Sequence, residues 1–252
     1  MTIPLSGKVY LIGAGPGDPE LLTLKAAKAL QHADVVLVDD LVNRDILQHA
    51  AQARVIEVGK RGGCKSTPQH FINRLMISLA EQGQTVARLK GGDPFLFGRG
   101  GEEMLALRAA GITAEIIPGI TSGIAAPTSL GIPVTHREYN HGVTFVTGHT
   151  QDGEKPNWRA LAEGGTTLVI YMGMKHLSLI VSELLAAGLS PETPAAAIQN
   201  GSLPHQQQVI VSLSMLPFAV KQAGLESPAI IVVGDVVRLA QMQFEAAASA
   251  AA

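Results

Sequence analysis

The chain has 252 residues, of which 46% are hydrophobic and 16% are charged, a composition typical of a well-buried globular protein and not of a disordered or fibrous chain. Its formal net charge of −2 creates no global field that would attract nucleic acid, so no nucleic-acid partner is expected. A single cysteine, Cys64, excludes an internal disulfide and a cysteine zinc site, which fits a reducing cytoplasm.

The sequence contains no pattern of a targeting or membrane segment. Residues 1–7 lack the basic region and the long apolar run of a signal peptide. No stretch approaches the roughly 18 uncharged apolar residues that a membrane helix needs. We therefore expect a cytoplasmic protein with no membrane partner. The Ala-rich residues 241–252 are of low complexity and are interpreted as a frayed helix end or disordered tail outside the chemistry.

The first half of the chain alternates short apolar runs with helical patterns. Strands are predicted at residues 8–13, 35–38, 54–58, 85–89 and 114–117. Helices are predicted at residues 21–30, 43–51 and 68–82, a further helix from Gly100, and another that opens at residues 118–122. Because these strands do not alternate polar with apolar residues and helices separate them, they predict a parallel sheet buried on both faces.

The second half begins where the composition changes, around residues 131–137, which we interpret as a hinge between two α/β domains spanning residues 1–135 and 136–240. Strands are predicted at residues 143–147, 167–172, 195–198, 209–212 and 229–233, with helices at about 177–187 and 216–223. The strand at 209–212 follows the preceding one too closely for a crossover helix, so antiparallel pairing is expected there. The second domain is therefore predicted to hold a mixed sheet, with a ligand cleft between the domains.

The rest of the chain is organised around the stretch from Arg88 to Glu103. A strand ends there, breaks at Gly91-Gly92-Asp93-Pro94 and gives way to a helix with acidic residues in its first turn, where the helix dipole favours them. Adjacent glycines let the backbone approach a ligand closely, and open α/β sheets bind ligands beyond the carboxyl ends of their strands. Close backbone beside a carboxylate favours a ligand with hydroxyls or positive charge, such as an adenosyl sulfonium cofactor, over a polyphosphate.

A second glycine loop, at residues 13–18, leaves two interpretations open. One is a dinucleotide-binding turn, although that fingerprint requires a third glycine where Asp18 stands, and a carboxylate would repel a pyrophosphate. The other is a tight strand-to-helix turn that Asp18 caps. A nicotinamide-dependent oxidoreductase and a non-catalytic cofactor-binding protein are thus alternative functions.

Eight motifs, taken in order, identify a family. They lie at residues 9–25, 58–62, 88–103, 117–122, 131–137, 146–149, 171–173 and 227–229. In them the chain resembles the tetrapyrrole methylase family of S-adenosylmethionine-dependent enzymes, and most closely the members that methylate uroporphyrinogen III. The resemblance implies the family's α/β fold, with two αβα domains and a cofactor cleft between them, and a homodimer. Because the chain begins at the methylase block, it is similar to the stand-alone form, without an added dehydrogenase and chelatase module.

The resemblance also implies which residues contact the cofactor and carry out proton transfer. The residues matched by motif to cofactor contacts are Pro16, Gly91, Gly92, Asp93, Leu96, Thr121, Ser122, Met172 and Gly201. The candidate general base is Asp39, at the end of the second strand, followed by Asp40 where relatives commonly have arginine. The candidate proton donor is Lys60.

The substrate of these enzymes carries many carboxylates, so a nearly neutral protein must concentrate cations locally. Arg99, Arg137 and His149 are the candidate cations, since each adjoins a loop motif, and Met172 is a further candidate substrate contact. Glu102, one helical turn after Arg99, is placed to orient the guanidinium or to accept a pyrrole N–H. Arg99 and Glu102 are therefore candidate catalytic residues as well as substrate contacts.

The implied reaction is methyl transfer to two pyrrole β-carbons of uroporphyrinogen III, C2 and C7, through precorrin-1 to precorrin-2, with S-adenosylhomocysteine as co-product. Alignment of the two reactants accounts for much of the rate, and a base then removes a proton. No metal is expected. A methyltransferase acting on a later precorrin is the nearest alternative, and the pathway served (siroheme, cobalamin or haem d1) stays open.

Overall fold

The chain divides between Thr121 and Ser122 into two units, Met1–Thr121 and Ser122–Ala252. The computed structural model describes residues 7–59, 67–149 and 155–240. The hinge predicted around residues 131–137 lies further along the chain than this division. The helix Ser122–Thr128 was predicted in the first domain but belongs to the second unit. Its Gly123 N–H donates to the hydroxyl of Tyr171 in that unit at 2.8 Å.

Unit 1 contains an all-parallel sheet with the strand order β3-β2-β4-β1-β5. Its strands are β1 (Val9–Gly13), β2 (Val35–Val38), β3 (Arg54–Glu57), β4 (Val86–Lys90) and β5 (Ala114–Ile117). Strands β2 and β4 are buried throughout, which confirms the parallel sheet predicted from their unalternating sequences. Because all five strands are parallel, the loops that follow them meet at one edge.

Two layers of helices cover this sheet. They are α1 (Leu24–Gln31), α2 (Gln69–Glu81) and α3 (Gly100–Ala109), with 3₁₀ segments at Pro19–Leu21 and Arg44–Ala50. The helix predicted to start at residue 21 starts later, because the chain first makes a 3₁₀ turn before Thr23 caps α1. The segment predicted as helical at 43–51 is a 3₁₀ helix capped by Asn43.

Unit 2 contains a mixed sheet with the order β6-β7-β10-β8-β9. Its strands are β6 (Val143–Thr147), β7 (Thr167–Tyr171), β8 (Pro194–Gln199), β9 (Gln207–Ser212) and β10 (Ala229–Val233). Strand β9 runs antiparallel to β8, as the short connection predicted. The helices are α4 (Ser122–Thr128), α5 (Trp158–Glu163), α6 (Leu177–Ala186) and α7 (Leu216–Ala223). The six-residue α5 was not predicted, because it is too short to display a helical period.

The described parts of the chain contain no helix long and apolar enough to span a bilayer. Over the same residues, no group of three or more His, Cys, Asp or Glu side chains is arranged to hold a metal ion.

Candidate active site

Three glycine loops touch one another at the carboxyl edge of the unit 1 sheet. Gly13 ends β1, Gly92 follows β4 and Gly119 follows β5. A Cβ on Gly119 would lie 2.2 Å from the Gly92 carbonyl oxygen, and a Cβ on Gly13 would lie 2.5 Å from the Gly119 nitrogen. Glycine is therefore needed for the loops to pack together, in addition to any approach to a ligand.

Backbone hydrogen bonds hold these loops in place. The Gly15 N–H donates to the Gly92 carbonyl at 3.2 Å, and the Gly92 N–H donates to the Gly15 carbonyl at 2.7 Å. The side chain of Asp93 adds two more links, because Oδ1 accepts from the Phe95 N–H at 2.8 Å and Oδ2 from the Gly119 N–H at 3.1 Å. Asp93 thus fixes the loop it belongs to, while its contact with a cofactor stays a prediction.

Asp18 caps the turn that follows the first glycine loop. Its carboxylate accepts from the Glu20 N–H at 2.9 Å, and Pro19 opens the 3₁₀ helix. This geometry confirms the capping interpretation of residues 13–18. A carboxylate at the mouth of the loop does not suit the pyrophosphate of a dinucleotide.

The loop after β4 carries two non-glycine residues in the left-handed region, Phe97 at φ 53° and Arg99 at φ 59°. Such a conformation costs of order 1–3 kcal/mol per residue and is concentrated at functional sites. Phe95 and Phe97 are also 51% and 40% exposed, which is unusual for aromatic side chains. These two residues are not among the site residues predicted from the sequence, although aromatic residues inside a glycine-rich loop are a signal that could have indicated them.

Arg99 and Glu102 form the pair that their spacing predicts. Arg99 Nε and Nη2 donate to the two oxygens of Glu102 at 2.9 and 2.7 Å, and both side chains are about half exposed, at 46% and 56%. The hydrogen bond from Arg99 lowers the pKa of Glu102, and the same bond raises the pKa of Arg99. Both groups therefore stay charged at neutral pH. The pair presents a rigid, oriented guanidinium at the start of α3, and its roles in binding and catalysis stay predictions.

Asp39 lies at the end of β2 beside two cations of β4. Arg88 Nη2 donates to Asp39 Oδ1 at 2.7 Å, and Lys90 Nζ lies 3.5 Å from Asp39 Oδ2. Arg88 and Lys90 are two residues apart in a strand and so share one face of the sheet. The register of β2 against β4 sets Leu37 opposite Arg88, which brings Asp39 within reach of both cations.

The two cations also share a second carboxylate, that of Glu103 in the first turn of α3. Its Oε1 accepts from Arg88 Nε at 3.0 Å, from Lys90 Nζ at 3.1 Å and from Gln69 Nε2 at 3.0 Å. Glu103 is fully buried, and its Oε2 has no hydrogen-bond partner among the described residues. Burial and the nearby Arg88 lower the pKa of Lys90. We call Asp39, Arg88, Lys90 and Glu103 the buried charge cluster.

Arg88, Lys90 and Glu103 are not among the site residues predicted from the sequence. The available signal was the pattern Val86-Ala-Arg-Leu-Lys90, in which two basic residues occupy one face of an otherwise apolar strand. Lys60, the candidate proton donor, lies outside the described residues.

In unit 2, three of the predicted cofactor contacts lie on helix α4 or close to it. Ser122 is the first residue of the helix. The Gly123 N–H donates to the hydroxyl of Tyr171, which is the residue before Met172. Gly201 packs on the same helix, where a Cβ would lie 2.4 Å from the Ala126 Cβ. Met172 has a φ of 53° and is 51% exposed. The predicted contacts of this unit thus cluster at one end of its sheet.

The remaining predicted residues have less specific surroundings. Pro16 and Leu96 are half-buried, and Thr121 is buried. Arg137 and His149 are exposed, and the His149 ring stacks on His176 with centroids 5.5 Å apart. No described contact of Arg137 or His149 is with another predicted site residue of unit 2.

Comparison with known proteins extends the likeness over most of the chain. The family model for tetrapyrrole (corrin/porphyrin) methylases matches residues 8–217. The uroporphyrinogen-III C-methyltransferase of Pseudomonas aeruginosa is 56% identical over 234 residues, which cover 93% of this chain and 96% of that protein.

Two solved structures also resemble this chain over most of its length. The uroporphyrin-III C-methyltransferase of Thermus thermophilus, complexed with S-adenosylhomocysteine, is 40% identical with a TM-score of 0.80, over 92% of this chain and 94% of that one. A cobalt precorrin-4 methyltransferase of cobalamin biosynthesis is 29% identical with a TM-score of 0.82, over 91% and 95% of the two chains.

Proposed function

Because the chain belongs to the tetrapyrrole (corrin/porphyrin) methylase family, we propose that it transfers methyl groups from S-adenosylmethionine to carbon atoms of uroporphyrinogen III. The observation that carries this proposal is the match to the Pseudomonas aeruginosa enzyme, which extends over nearly the whole of both proteins. The finer proposal is that methylation occurs at C2 and C7, through precorrin-1 to precorrin-2, in a cytoplasmic homodimer.

The glycine loops of unit 1 suit an adenosyl sulfonium group. Close packing of Gly13, Gly92 and Gly119 brings the backbone of three loops together at this edge of the sheet. When bound, S-adenosylmethionine supplies an electrophilic methyl group on a positively charged sulfur. The residues proposed to hold it are Pro16, Gly91, Gly92, Asp93, Leu96, Thr121, Ser122, Met172 and Gly201.

Arg99 is proposed to bind carboxylates of the substrate. Its guanidinium is half exposed and held in one orientation by the two bonds to Glu102, so little side-chain freedom is lost on binding. The exposed rings of Phe95 and Phe97 on the same loop offer an apolar surface for a macrocycle. Arg137, His149 and Met172 are proposed as further substrate contacts from unit 2.

Asp39 is proposed to accept the proton that leaves the methylated ring. Its carboxylate is 28% exposed and is fixed by Arg88 and Lys90, so it has one accessible side and one bonded side. This arrangement suits a base whose position matters. Lys60 is proposed as the proton donor on the strength of its motif alone.

Three alternative functions are distinguished by different observations. A methyltransferase for a later precorrin remains the nearest one, because the cobalt precorrin-4 enzyme shares the fold at lower identity. The nicotinamide-dependent oxidoreductase is disfavoured by family membership and by the capping role of Asp18. A protein that only binds the cofactor would lack turnover.

The test is methylation of enzymatically made uroporphyrinogen III by the purified protein with S-adenosylmethionine, followed by mass spectrometry. A product with two added methyl groups is expected, and Arg99→Ala should abolish turnover while leaving cofactor affinity largely intact. Arg108→Ala is the matched control, since Arg108 is an exposed arginine near the other end of α3. Folded protein that binds the cofactor but yields no methylated tetrapyrrole would contradict the proposal, and methylation of only a later precorrin would favour the alternative.

A further inference from the structure

The buried charge cluster is the least expected feature of unit 1. Arg88, Lys90 and Glu103 have side-chain exposures of 2%, 4% and 0%, and only Asp39 reaches solvent. Removing an ion from water carries an effective penalty of several kcal/mol, and apolar residues of similar volume often serve stability as well or better. The cluster therefore calls for a reason other than stability.

Within the part of the chain that the structure describes, ion pairs connect Glu103 to Asp39 through the two cations. Arg88 uses Nε for Glu103 and Nη2 for Asp39, at 3.0 and 2.7 Å. Lys90 likewise reaches Glu103 at 3.1 Å and Asp39 at 3.5 Å. Each cation thus bridges a buried carboxylate and a partly exposed one.

We infer that Glu103 is a positioning residue for the methylation reaction, acting through Arg88 and Lys90 to hold the Asp39 carboxylate in place and to balance the charge that it faces. The inference rests on the proposed role of Asp39 as proton acceptor. Among the described residues, the side chain of Glu103 accepts hydrogen bonds from Arg88, Lys90 and Gln69, none of which is a proposed cofactor contact.

The charge balance explains why a second carboxylate is useful. With both carboxylates ionised, the two positive and two negative charges of the cluster cancel. Without Glu103, two cations would face Asp39 alone, and they would stabilise its ionised form and weaken it as a base. Without Lys90, the opposite change is expected. Burial and then Arg88 lower the pKa of Lys90, whereas Glu103 and Asp39 act in the opposite direction, so the two carboxylates favour its charged form.

Other charged groups near Asp39 belong to neighbouring elements and stay unchanged in such variants. Asp40 is the next residue, and Arg44 of the 3₁₀ helix donates through Nη1 to the Asp39 carbonyl at 2.8 Å. Arg44 is itself paired with Glu57 of β3 at 2.6 Å. The matched control is Glu115 of β5, a paired glutamate at the edge of the same sheet, three strands from β2.

The experiment compares Glu103→Gln, Lys90→Met and the control Glu115→Gln in the full-length protein. It measures kcat against pH and, without substrate, the ¹³C carboxyl signal of Asp39 against pH, assigned by its loss in Asp39→Asn. In Glu103→Gln the acid limb of kcat and the Asp39 titration should move to lower pH, with kcat at its optimum reduced at least about tenfold. In Lys90→Met both should move to higher pH, and Glu115→Gln should move neither.

Shifts of opposite sign are a result that a merely structural role would not produce. Unchanged titration of Asp39 in both variants, or shifts in one direction only, would overturn the inference. If Glu103→Gln does not fold, the shift in Lys90→Met decides alone, and its absence overturns the inference. If the wild-type protein does not methylate, the proposed function fails, while the Asp39 titration still decides whether Glu103 acts on it.

Discussion

The buried charge cluster differs chiefly in burial from another set of paired charges in unit 1, Glu115 with Lys8 and Lys25. We call this second set the exposed set. In the buried charge cluster, Glu103 has no exposure, whereas Glu115 of β5 is 31% exposed and pairs with Lys8 and with Lys25, the latter at 2.8 Å. Hydrogen bonds from Lys25 and Lys8 lower the pKa of Glu115 to about 2. The residue types are alike, so the comparison isolates the effect of the surroundings.

A shifted pKa and a large contribution to stability are therefore separate properties of an ion pair. Water screens the Glu115 pairs, and exposed pairs of this kind contribute about 0–1 kcal/mol each. Glu103 is screened far less, so loss of its charge leaves two buried cations to share the partly exposed carboxylate of Asp39. Four predictions test this contrast between buried and exposed charges.

Glu103→Ala is expected to lower the free energy of unfolding by about 3–5 kcal/mol, because it breaks a buried ion cluster by removing one partner. Chemical denaturation monitored by circular dichroism measures the change. Glu115→Ala is the matched variant and should lose no more than about 1 kcal/mol. Equal losses in the two variants would show that burial does not separate the two sets.

Replacing the three buried members together, as Arg88→Met, Lys90→Met and Glu103→Met, should restore stability. Apolar replacement of a whole buried ion set is often neutral or stabilising by about 1–4 kcal/mol. Methylation should stay impaired, since Asp39 loses the groups that position it. A triple variant as unstable as Glu103→Ala would mean that the cluster contributes to stability as a unit, and normal turnover would mean that Asp39 needs no support.

The sequence predicted the sheets far better than the cluster. Strands β2, β5, β6 and β10 have the predicted bounds, since unalternating apolar runs between helices admit few alternatives. The loop residues of the candidate site were found because glycine, proline and aspartate mark turns directly. These residues are predicted from the sequence to contact ligands. In the structure, part of the role of the glycines is to let the loops pack together.

The cluster could not be predicted because it depends on tertiary register. Arg88 and Lys90 at a strand end resemble solvated charges, and Glu103 resembles an ordinary acidic residue of a first helical turn. Only the pairing of β2 with β4, together with the packing of α2 and α3 above them, brings these groups to Asp39. Periodicity along the chain carries no information about which strand lies beside which.

The pH dependence of stability should differ between the two sets. Because the pKa of Lys90 is lowered in the folded protein, the unfolded chain binds this proton more tightly. The resulting penalty is fully present below the folded-state pKa and is relieved as pH rises toward the ordinary value of 10.5. Relative to Lys90→Met, the wild-type free energy of unfolding should therefore rise from neutral to alkaline pH. A difference that does not vary with pH would contradict a lowered Lys90 pKa.

The exposed set should show a smaller effect of the same pH sense, but in the acid range. The lowered pKa of Glu115 contributes stability that is present above its ordinary value of 4.5 and is lost as pH falls to about 2. Glu115→Gln should thus cost about 0–1 kcal/mol at neutral pH, less in high salt, and nothing at the acid end of this window. Denaturation of Glu163→Gln provides the control, since Glu163 forms an exposed helical pair with Arg159. A loss from Glu115→Gln that persists unchanged in acid and in salt would mean that Glu115 stabilises the sheet by packing and not by charge.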